Sequence, residues 1–536
     1  MTKRSIPQPI DLGDRVERER VLNILRVLKD WPLEKRDISP LLRKYHTATG
    51  TYAKSQLLGA YRQLVEENVI KSNESIEYQL RGRPVRTISG VAPVAVLTES
   101  YPCPGECIFC PNQKDAPKSY LDGEPGVLRA IQYGYDPYAQ TASRIQSLQA
   151  TGHSVDKIEL LVLGGTWSSY PEEYQEHFLL RCFDAMNEEP SSTLAEALRR
   201  NRTAPHRNVG LVIETRPDAI TPAEVLRLRE QGVTKVQLGV QSLDDQILEL
   251  NRRGHTVAQT HRAIRLLRRA GFKIVAHWMP NLYGATPGSD LLDFARLWDD
   301  PAMRPDELKI YPTALLEGTE LYTLWQEGKY QPYAEEDLIE LVTQCKLLIQ
   351  PYCRANRIMR DIPANYIVSG SKKSNLRQIV QQRMEKAGLA CRCIRCREIR
   401  GHARKQSIER VQLETLHYQT EGTQEYFLQY LTPEKQLAGF LRLSLPTAPR
   451  QELPIPEIQM AAMIREVHVY GPAQGLGEQG QGGQHHGLGT RLLSRAAEIA
   501  QAAGFDELAV IAAVGTWHYY QERGFKQGEL YPIRQL

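Results

Sequence analysis

The chain has 536 residues and a formal net charge of only +4, which by itself does not indicate nucleic-acid binding. This length is too great for one hydrophobic core, so we expect two to four domains. Hydrophobic residues make up 41% and charged residues 24%, as in globular proteins, and no apolar run approaches the roughly 20 residues that span a bilayer. The N-terminus lacks the apolar core of a secretory signal, so we expect a cytoplasmic protein with no membrane contact.

Residues 1–80 predict a small helical module. Apolar residues recur at helical spacing over 15–31, where Pro32 ends the helix, around 41–42, and over 52–69. The polar faces are basic and suit nucleic-acid phosphates, although a charge run is by default a solvated face. These basic residues are Arg15, Arg18, Arg20, Lys35, Arg36, Arg43, Lys44 and Lys54, and the extended segment 81–90 adds further arginines.

Strand-like and helical segments alternate from 81 to 350. Amphipathic helical stretches such as 221–231 and 258–270 separate apolar, β-branched runs. Repeated βα units predict a parallel sheet, open or closed into a barrel, with ligands bound at the carboxyl ends of the strands. The apolar runs are 91–97, 157–163, 209–215, 235–240, 272–278 and 307–312.

Three of the nine cysteines, Cys103, Cys107 and Cys110, form a CxxxCxxC motif directly after the first predicted strand. Three thiolates on one short loop can hold three irons of a [4Fe–4S] cluster and leave the fourth iron open. An open iron is what S-adenosylmethionine (SAM) chelates in radical SAM enzymes. The alternative is a zinc knuckle that lacks one ligand, but the position after strand one of a βα series favours the cluster.

Further candidate cofactor contacts lie at the ends of the later strands. Paired glycines after the second strand leave backbone space for the SAM amino group, although an ordinary turn also uses glycine. An arginine in the segment 251–255 is a candidate to bind the SAM carboxylate. The full set is Gly164, Gly165, Glu214, Arg216, Gln241, Arg252 and Arg253. Lys309, Tyr311 and Lys273 are candidates to orient the substrate, although lone residues of this kind are more often structural.

The segment 351–405 predicts a basic linker with its own metal site. Cys391, Cys393 and Cys396 lie as close together in the sequence as the ligands of a structural zinc site. The sequence does not identify the fourth ligand, for which His402, Cys345 and Cys353 are the candidates. Cys182, Cys345 and Cys353 stand alone in the sequence, and isolated cysteines are usually small buried hydrophobic residues. Basic residues interleaved with aromatics are typical of single-stranded RNA contacts, with Lys372 and Lys373 as candidate substrate contacts. The others are Arg354, Arg357, Arg360, Arg377, Arg392, Arg395, Arg397, Arg400, Arg404 and Lys405, with Tyr330, Tyr333, Tyr352 and Tyr366 nearby.

Residues 406–536 predict a mixed α/β domain. Strand-like runs at 425–431, 437–445 and 463–471 precede a Gly/Gln-rich loop, a helix over 489–503 and a strand over 507–513. A QxxGxG turn that opens a helix presents free backbone N–H groups, which suit the pyrophosphate of coenzyme A. This arrangement resembles the N-acetyltransferase (GNAT) fold.

The GNAT resemblance implies the acetyl-CoA contacts of this domain. Tyr519 and Tyr520 are candidates to protonate the departing thiolate, with core packing as the alternative. A pair of histidines in a Gly-rich loop is more often a phosphate or backbone contact than a metal site. The implied contacts are Glu466, Val467, His468, Val469, Gln484, His485, His486, Gly487, Leu488, Gly489, Thr490 and Tyr519.

The ordered set of motifs resembles the catalytic subunit of Elongator in its bacterial or archaeal single-chain form, over nearly the whole chain. The segments that carry it are 83–113, 133–145, 163–174, 213–218, 238–245, 251–256, 307–313 and 359–370. Animal and fungal members space the first two cluster cysteines further apart, a departure that leaves the ligand count intact. The resemblance implies an α/β multidomain protein: a helical tRNA-binding module, a radical SAM partial (βα) barrel, a zinc-containing linker and a GNAT domain.

The same resemblance implies carboxymethylation of the wobble uridine in a tRNA anticodon loop. In that reaction a SAM-derived 5′-deoxyadenosyl radical abstracts hydrogen from the acetyl group of acetyl-CoA, the carbon radical adds to uracil carbon-5, and thioester hydrolysis leaves a carboxymethyl group. An external electron donor is then required, and a homodimer stays open. Two other functions also stay open: a protein lysine acetyltransferase with a structural SAM-binding barrel, and an RNA-binding scaffold with relic sites.

Overall fold

The computed structural model describes residues 9–32, 37–45, 50–82, 87, 90–114, 116–399, 410–470 and 487–536. Two seven-stranded sheets form its framework, and a helical module precedes the first of them. No helix in these ranges combines the length and apolar character that crossing a bilayer requires.

The first sheet is parallel throughout, and its strand order follows the chain from β1 to β7. Because β1 and β7 do not pair with each other, the sheet is a barrel left open on one side. The six predicted parallel strands are confirmed. The strands are β1 Ala92–Leu97, β2 Lys157–Leu163, β3 Arg207–Thr215, β4 Lys235–Gln241, β5 Lys273–Trp278, β6 Glu307–Ile310 and β7 Arg354–Ile358.

Several of the helices between these strands begin at side-chain caps that the sequence supplies. Thr256 and Gln259 form a reciprocal capping box at the start of the helix Val257–Arg269, and Thr221 caps Pro222–Glu230. Both helices were predicted. The helices of this region are Pro125–Gln132, Pro137–Ala150, Glu172–Asn187, Leu194–Arg200, Pro222–Glu230, Asp245–Leu250, Val257–Arg269, Pro287–Asp299, Glu320–Gln326, Glu335–Leu348, Leu376–Lys386 and Ile394–Arg397.

The seventh strand was missed by the sequence analysis, which assigned residues 351–358 to an irregular linker. β7 has the sequence RANRI and pairs with β6 from Glu307↔Arg354 to Ile310↔Ile358. Its apolar residues Ala355 and Ile358 are buried, whereas Arg354, Asn356 and Arg357 occupy the remaining positions. A strand with so few apolar residues does not show the periodicity that strand prediction uses.

The second sheet is mixed and has the order β13-β14-β12-β11-β10-β9-β8. The predicted runs over 425–431, 437–445, 463–471 and 507–513 correspond to β9 to β12, whereas the exposed edge strand β8 was not predicted. The helices Leu488–Ala502 and Trp517–Gln521 belong to the same region. The strands are β8 Gln412–Thr420, β9 Thr423–Leu431, β10 Leu437–Pro446, β11 Ala462–Val469, β12 Glu507–Val510, β13 Lys526–Gln527 and β14 Pro532–Gln535.

The N-terminal module has four α-helices and a core of its own. Helices Arg15–Lys29, Ser39–Leu42 and Lys54–Glu66 fall within the predicted stretches, and Glu74–Leu80 is additional. The buried apolar side chains of these helices form one cluster, separate from the cores of the two sheets.

A buried charge network joins the two sheets. Asp306, which directly precedes β6, accepts two hydrogen bonds from Arg465 of β11, at 2.7 and 2.5 Å. Both side chains are fully buried. Arg442 of β10 lies 3.5 Å from Asp306 and donates to Glu466 at 2.9 Å. The arginines hold the pKa of Asp306 below its ordinary value against the opposing effect of burial.

Two glycines allow the backbones of the two parts to approach closely. A Cβ on Gly515, which follows β12, would lie 2.6 Å from the Asn208 carbonyl oxygen of β3. A Cβ on Gly271 would lie 2.9 Å from Met463 Sδ of β11. Since Gly271, Asp306 and Asn208 all lie at the amino ends of barrel strands, the second sheet packs against that end, opposite the carboxyl ends.

We predict that Asp306→Asn lowers the melting temperature strongly, because Arg465 and Arg442 remain buried without their anion. Removal of one partner from a buried pair costs about 3–5 kcal/mol. Since the folded-state pKa of Asp306 is lowered, its stabilisation is present at neutral pH and is lost as the pH falls through that value. Thermal unfolding across pH measures both effects.

The matched control is Glu421→Gln, which breaks the half-exposed interdomain pair Arg265–Glu421. We expect a loss below about 1 kcal/mol there, because exposed pairs are screened by solvent. Equal melting temperatures for the two variants would contradict the assigned role of Asp306.

Candidate active site

A cavity of about 530 Å³ lies at the carboxyl ends of the barrel strands. It brings together the first cysteine triplet and seven of the candidate residues from separate strands, although these are far apart in the chain. Its lining includes Cys103, Cys107, Cys110, Gly165, Glu214, Arg216, Gln241, Arg253, Lys309 and Tyr311, with Tyr120, His277, Arg357 and Arg360.

The cysteine loop is held by hydrogen bonds to its sulfur atoms. Gly105 N donates to Cys103 Sγ at 3.4 Å, and Arg253 Nη1 donates to Cys107 Sγ at 3.0 Å. Burial raises the pKa of Cys110 to about 11, so this sulfur loses its proton readily only when a metal replaces it.

The spacing of these sulfurs fits a cluster better than a single ion. A tetrahedral zinc ion with Zn–S bonds of about 2.3 Å brings its sulfurs to about 3.8 Å from one another. In the part of the chain that the structure describes, the group whose ligand atoms all lie within 4.8 Å of one another is Cys391, Cys393 and Cys396, not the first triplet. An iron–sulfur cluster holds each cysteine on a different iron and so spreads the sulfurs.

Arg216 reaches from the end of β3 to the cysteine loop. Its guanidinium is bound by Asp218 at 2.9 Å and donates to the Arg253 carbonyl oxygen at 2.7 Å. Its buried Nη1 has no hydrogen-bond partner among the described residues, and it would lie 2.2 Å from a Cβ on Gly105. Although Asp218 pairs with this guanidinium, its Nη1 remains an N–H donor without a partner at the loop, which fits an anionic cluster.

The glycine pair after β2 has the backbone conformation that SAM binding was expected to use. Gly164 and Gly165 have φ values of +132° and +109°, which only glycine adopts without strain. A Cβ on Gly164 would lie 2.0 Å from Thr98 Oγ1. Gln241, at the end of β4, also has a positive φ of 70°, and its buried Oε1 has no partner among the described residues.

The two candidate arginines of the 251–255 segment separate. Arg253 is buried and lines the cavity, where it also donates to the Gly239 carbonyl oxygen at 2.7 Å. Arg252 is exposed and pairs with Glu320 at 2.8 Å, outside the cavity lining. The expectation that Arg252 contacts SAM is therefore not met in this structure.

A polar group of side chains lines the cavity below the cysteine loop. Burial and the nearby Lys309 hold the pKa of His277 well below its ordinary value, so the imidazole is neutral. His277 Nε2 lies 3.0 Å from Gln237 Oε1, which also accepts from Lys309, so Nε2 carries the proton and Nδ1 is an acceptor. Nδ1 lies 3.6 Å from Glu214 Oε1, and the Tyr311 ring packs against His277.

The predicted RNA-binding role of the linker aromatics is wrong for three of them. Tyr352 is buried and stacks on Tyr418 with a centroid distance of 4.0 Å. The Tyr330 hydroxyl is buried and donates to the Asn281 carbonyl oxygen, and Tyr333 donates to Asp290 at 2.8 Å. Tyr352 is buried because β7 and the segment before it are part of the fold rather than a linker, whereas Tyr330 packs beside Ile108, Leu315 and Leu321.

The linker arginines are also largely committed to internal contacts. Arg354 pairs with Glu398 at 2.6 Å and Arg360 with Glu124 at 3.0 Å. Arg377, Arg395 and Arg397 each donate to a backbone carbonyl oxygen. Of the two candidate lysines, Lys373 pairs with Glu335 and both are exposed away from the cavity lining. Residues 400–409, with Arg400, Arg404 and Lys405, lie outside the described residues.

The second cysteine triplet has the geometry of a single-ion site. The three sulfurs lie within 4.8 Å of one another, with Cys391 and Cys393 buried and Cys396 exposed. Hydrogen bonds from Cys391 and Cys396 hold the pKa of Cys393 well below its ordinary value. Of the three candidate fourth ligands, Cys345 and Cys353 are buried but do not join this group, and His402 lies outside the described residues. Cys182 is buried, as expected.

The second candidate site lies where β11 and β12 diverge. These strands pair in parallel only from Ala462↔Leu508 to Ile464↔Val510, so residues 465–469 lack that partner. The helix Leu488–Ala502 begins nearby, and Gly487 caps it with a left-handed φ of 69°. Its first turn, with Leu488, Gly489 and Thr490, presents free backbone N–H groups to an anion. Gln484, His485 and His486 lie outside the described residues.

The two candidate tyrosines take different positions. The Tyr519 hydroxyl would lie 2.5 Å from a Cβ on Gly489, so it reaches the first turn of that helix. Tyr520 is buried in the core of the second sheet against Phe525. Burial raises the pKa of both phenols. The geometry assigns the open position to Tyr519 and core packing to Tyr520.

Sequence reasoning missed Tyr120 and the location of Arg360. The Tyr120 hydroxyl donates to Glu214 Oε2 at 3.2 Å, and the Arg360 guanidinium lies 5.4 Å from the Tyr120 ring. Tyr120 lies outside the segments that carry the family resemblance, and Arg360 lies in the segment 359–370, where it was expected to contact RNA. His277 lies in the quoted segment 277–281, so its position at a strand end was a usable signal.

Comparison with known proteins agrees with this architecture. The profile of the Radical SAM superfamily matches residues 100–297, and that of the Radical_SAM C-terminal domain matches residues 305–386. The tRNA uridine(34) acetyltransferase of Dehalococcoides mccartyi (strain CBDB1) is 44% identical over 454 residues, which cover 84% of this chain and 99% of that protein.

Two archaeal comparisons extend the similarity. The tRNA uridine(34) acetyltransferase of Methanocaldococcus infernus is 40% identical over 537 residues, covering 96% of this chain and 98% of its own length. The solved structure of archaeal Methanocaldococcus infernus Elp3, with residues 1–46 deleted, superposes with a TM-score of 0.73 at 38% identity. That superposition covers 84% of this chain and all of the solved one.

We predict that Gly105→Ala impairs cluster assembly, because the added methyl group meets the Arg216 guanidinium at 2.2 Å. Either the loop or Arg216 must move, and the three sulfurs lose their relative positions. Iron and sulfide content after anaerobic reconstitution measures the effect, and we expect at least a twofold loss. Gly59→Ala, at a helical position with open space, is the control and should keep full cluster content.

Proposed function

This chain belongs to the Elp3-type family of radical SAM tRNA uridine(34) acetyltransferases, and we propose that it attaches an acetyl-derived carboxymethyl group to carbon-5 of the tRNA wobble uridine. The observation that carries this proposal is the cavity in which three cysteines, two inward arginines and a neutral histidine converge. An acetyltransferase alone needs no such set, and an RNA-binding scaffold needs no buried guanidinium N–H donor without a partner beside a thiol loop.

Four units follow from this proposal. Residues 1–80 form the tRNA-binding module, and 81–350 together with β7 form the radical SAM domain. The segment that follows β7 up to 405 carries the structural zinc site, and 406–536 form a domain of the GNAT fold. The mixed second sheet, with its divergent β11 and β12 and a glycine-capped helix, supports the last assignment.

The chain's own residues define the radical site. With a [4Fe–4S] cluster and SAM bound, the cofactors supply a 5′-deoxyadenosyl radical, and an external electron donor is required. Cys103, Cys107 and Cys110 would hold the cluster, and Arg253 positions Cys107 by donating to its Sγ at 3.0 Å. Gly165 lines the cavity and leaves the backbone space that the SAM amino group needs, whereas Thr98 occupies the space beside Gly164.

The polar group below the cysteine loop suits a uracil ring. His277 Nδ1 and Glu214 Oε1 are two acceptors 3.6 Å apart, and together they suit one shared donor such as uracil N3–H. Lys309 lies beside them as a donor for a uracil carbonyl oxygen, and its ammonium lies 5.6 Å from the Tyr311 ring centroid. Arg357, at the cavity wall, is a cation for the nucleotide phosphate.

At the second site, residues of this chain bind acetyl-CoA and protonate the departing thiolate. The free backbone N–H groups at the start of Leu488–Ala502 bind the pyrophosphate of acetyl-CoA. Residues Glu466, Val467, His468 and Val469 of β11 lack a β12 partner and offer backbone groups to the pantetheine arm. Tyr519 stays protonated at neutral pH because burial raises its pKa, so it can donate a proton to the departing thiolate.

The first test separates the two tyrosines. We expect Tyr519→Phe to slow tRNA-dependent hydrolysis of acetyl-CoA by about 10²-fold, because general acid catalysis is worth that much. Tyr520→Phe should stay within about threefold, provided that its melting temperature is unchanged. Release of free thiol measures the rates. If Tyr520→Phe alone abolished hydrolysis in a folded protein, the assignment of Tyr519 would be wrong.

A second test separates the radical site from the acetyl site. Replacement of Cys103, Cys107 and Cys110 together by Ser should abolish 5-carboxymethyluridine in tRNA while hydrolysis of acetyl-CoA continues. Mass spectrometry of digested tRNA gives the product, with SAM, reductant and acetyl-CoA present. Transfer of acetyl groups to histone-like peptides, with no modified uridine from the intact enzyme, would favour a lysine acetyltransferase instead.

A third test concerns zinc. We expect about one zinc per chain, and Cys393→Ser should remove it and lower the melting temperature, since structural zinc contributes folding energy directly. Metal analysis of purified protein measures the content. Cys182→Ser, at a buried cysteine outside both triplets, is the control and should keep its zinc. Loss of iron rather than zinc from Cys393→Ser would contradict the assignment.

A further inference from the structure

Arg523 contacts both Tyr519 and the helix that begins at Leu488. Its guanidinium carbon lies 3.8 Å from the centroid of the Tyr519 ring, a close cation–π contact. Its Nε donates to Thr490 Oγ1 at 3.2 Å, in the first turn of that helix. Its Nη1 donates to the Tyr519 carbonyl oxygen at 2.7 Å. No motif in the sequence singles out this residue.

These contacts restrict the Tyr519 ring on two sides. One face of the ring is covered by Arg523, and the hydroxyl end meets Gly489, where a Cβ would lie 2.5 Å away. The Tyr520 ring packs edge-on at 5.2 Å. Because Arg523 also holds Thr490, one guanidinium fixes the distance between the phenol and the first turn of the helix.

We propose that Arg523 is the positioning residue of the acetyl site: it clamps Tyr519 against the helix that begins at Leu488 and holds the phenol where the departing thiolate is protonated. The inference rests on the proposed role of Tyr519 as the acid. A planar guanidinium suits this task, since it stacks on an aromatic face and donates in its own plane at the same time.

The charges that face Tyr519 are few in the part of the chain that the structure describes. Burial raises its pKa above the ordinary value, and Arg523 opposes that effect by stabilising the phenolate. From the helix Leu488–Ala502, Arg491 lies over the Tyr430 ring. From β11, Val469 is the apolar neighbour of Gly489, and Glu466 acts on Tyr520 instead. Loss of Arg523 should therefore raise the phenol pKa and weaken the acid.

Ultraviolet titration of the tyrosines tests this inference without any cofactor. The difference between the wild type and Tyr519→Phe isolates one phenol, and the same subtraction in the Arg523→Gln background isolates it without the clamp. We expect its midpoint to rise by about one pH unit in Arg523→Gln, because an adjacent cation lowers an acid pKa by about that amount. In Arg523→Lys, the midpoint should return part of the way toward the wild-type value.

Kinetics of tRNA-dependent acetyl-CoA hydrolysis give the second readout. We expect kcat to fall about tenfold in Arg523→Gln with KM within about threefold, and the alkaline limb of its pH profile to move up with the phenol midpoint. Arg495→Gln, an exposed arginine on the helix Leu488–Ala502, should change neither quantity.

The outcomes separate the two levels of the proposal. An unchanged phenol midpoint in Arg523→Gln, or a rise in KM with unchanged kcat, overturns the role of Arg523 while the role of Tyr519 stands. If Tyr519→Phe keeps full kcat, Tyr519 is not the acid and the proposed function of this residue fails first. Matched melting temperatures for Arg523→Gln and Arg523→Lys exclude simple unfolding as the cause.

Discussion

The buried contact between Asp306 and Arg465 is the constraint on which the arrangement of both sites depends. A carboxylate in a fully buried position is stable only with its cationic partner, and that partner comes from the other sheet. The pair therefore ties the amino end of the barrel to β11. Parallel sheets bind ligands at the carboxyl ends of their strands. The cavity lined by the three cysteines therefore lies at the opposite end of the barrel from the second sheet.

The barrel interior itself is unusually polar for a parallel sheet. Interiors of such barrels are commonly filled by branched apolar side chains. Here Lys235 of β4 pairs with Glu159 at 2.8 Å and with Glu307 at 3.0 Å, and Gln237 and Lys309 form a further polar level. Glu159 and Glu307 together raise the pKa of Lys235 against the effect of burial, so the ammonium stays charged.

The sequence predicted most strands of the two sheets and proposed residues for the two candidate sites, and the missed parts share a physical reason. The six apolar barrel strands and the first cysteine triplet carry local signals, namely β-branched runs and ligand spacing. β7 does not, because its arginines carry out tertiary tasks that composition cannot reveal. The burial of Tyr352 and Tyr330 likewise depends on tertiary contacts, with Tyr418 for the first and with the cluster around Ile108, Leu315 and Leu321 for the second. The division of roles between Tyr519 and Tyr520 required the position of Gly489, since adjacent residues on a helix point in different directions.

The close approach of Gly515 to Asn208 bears on how this architecture tolerates exchange of parts. Because a methyl group on Gly515 would lie only 2.6 Å from the Asn208 carbonyl oxygen, there is no room for a larger residue at this contact. If one of the two domains were replaced by that of a distant homologue, its backbone would follow a different path and would clash with the other domain at this contact. The two domains thus have separate sheets but complementary contact surfaces. We expect a recombinant protein to fold only when both contacting surfaces come from the same homologue.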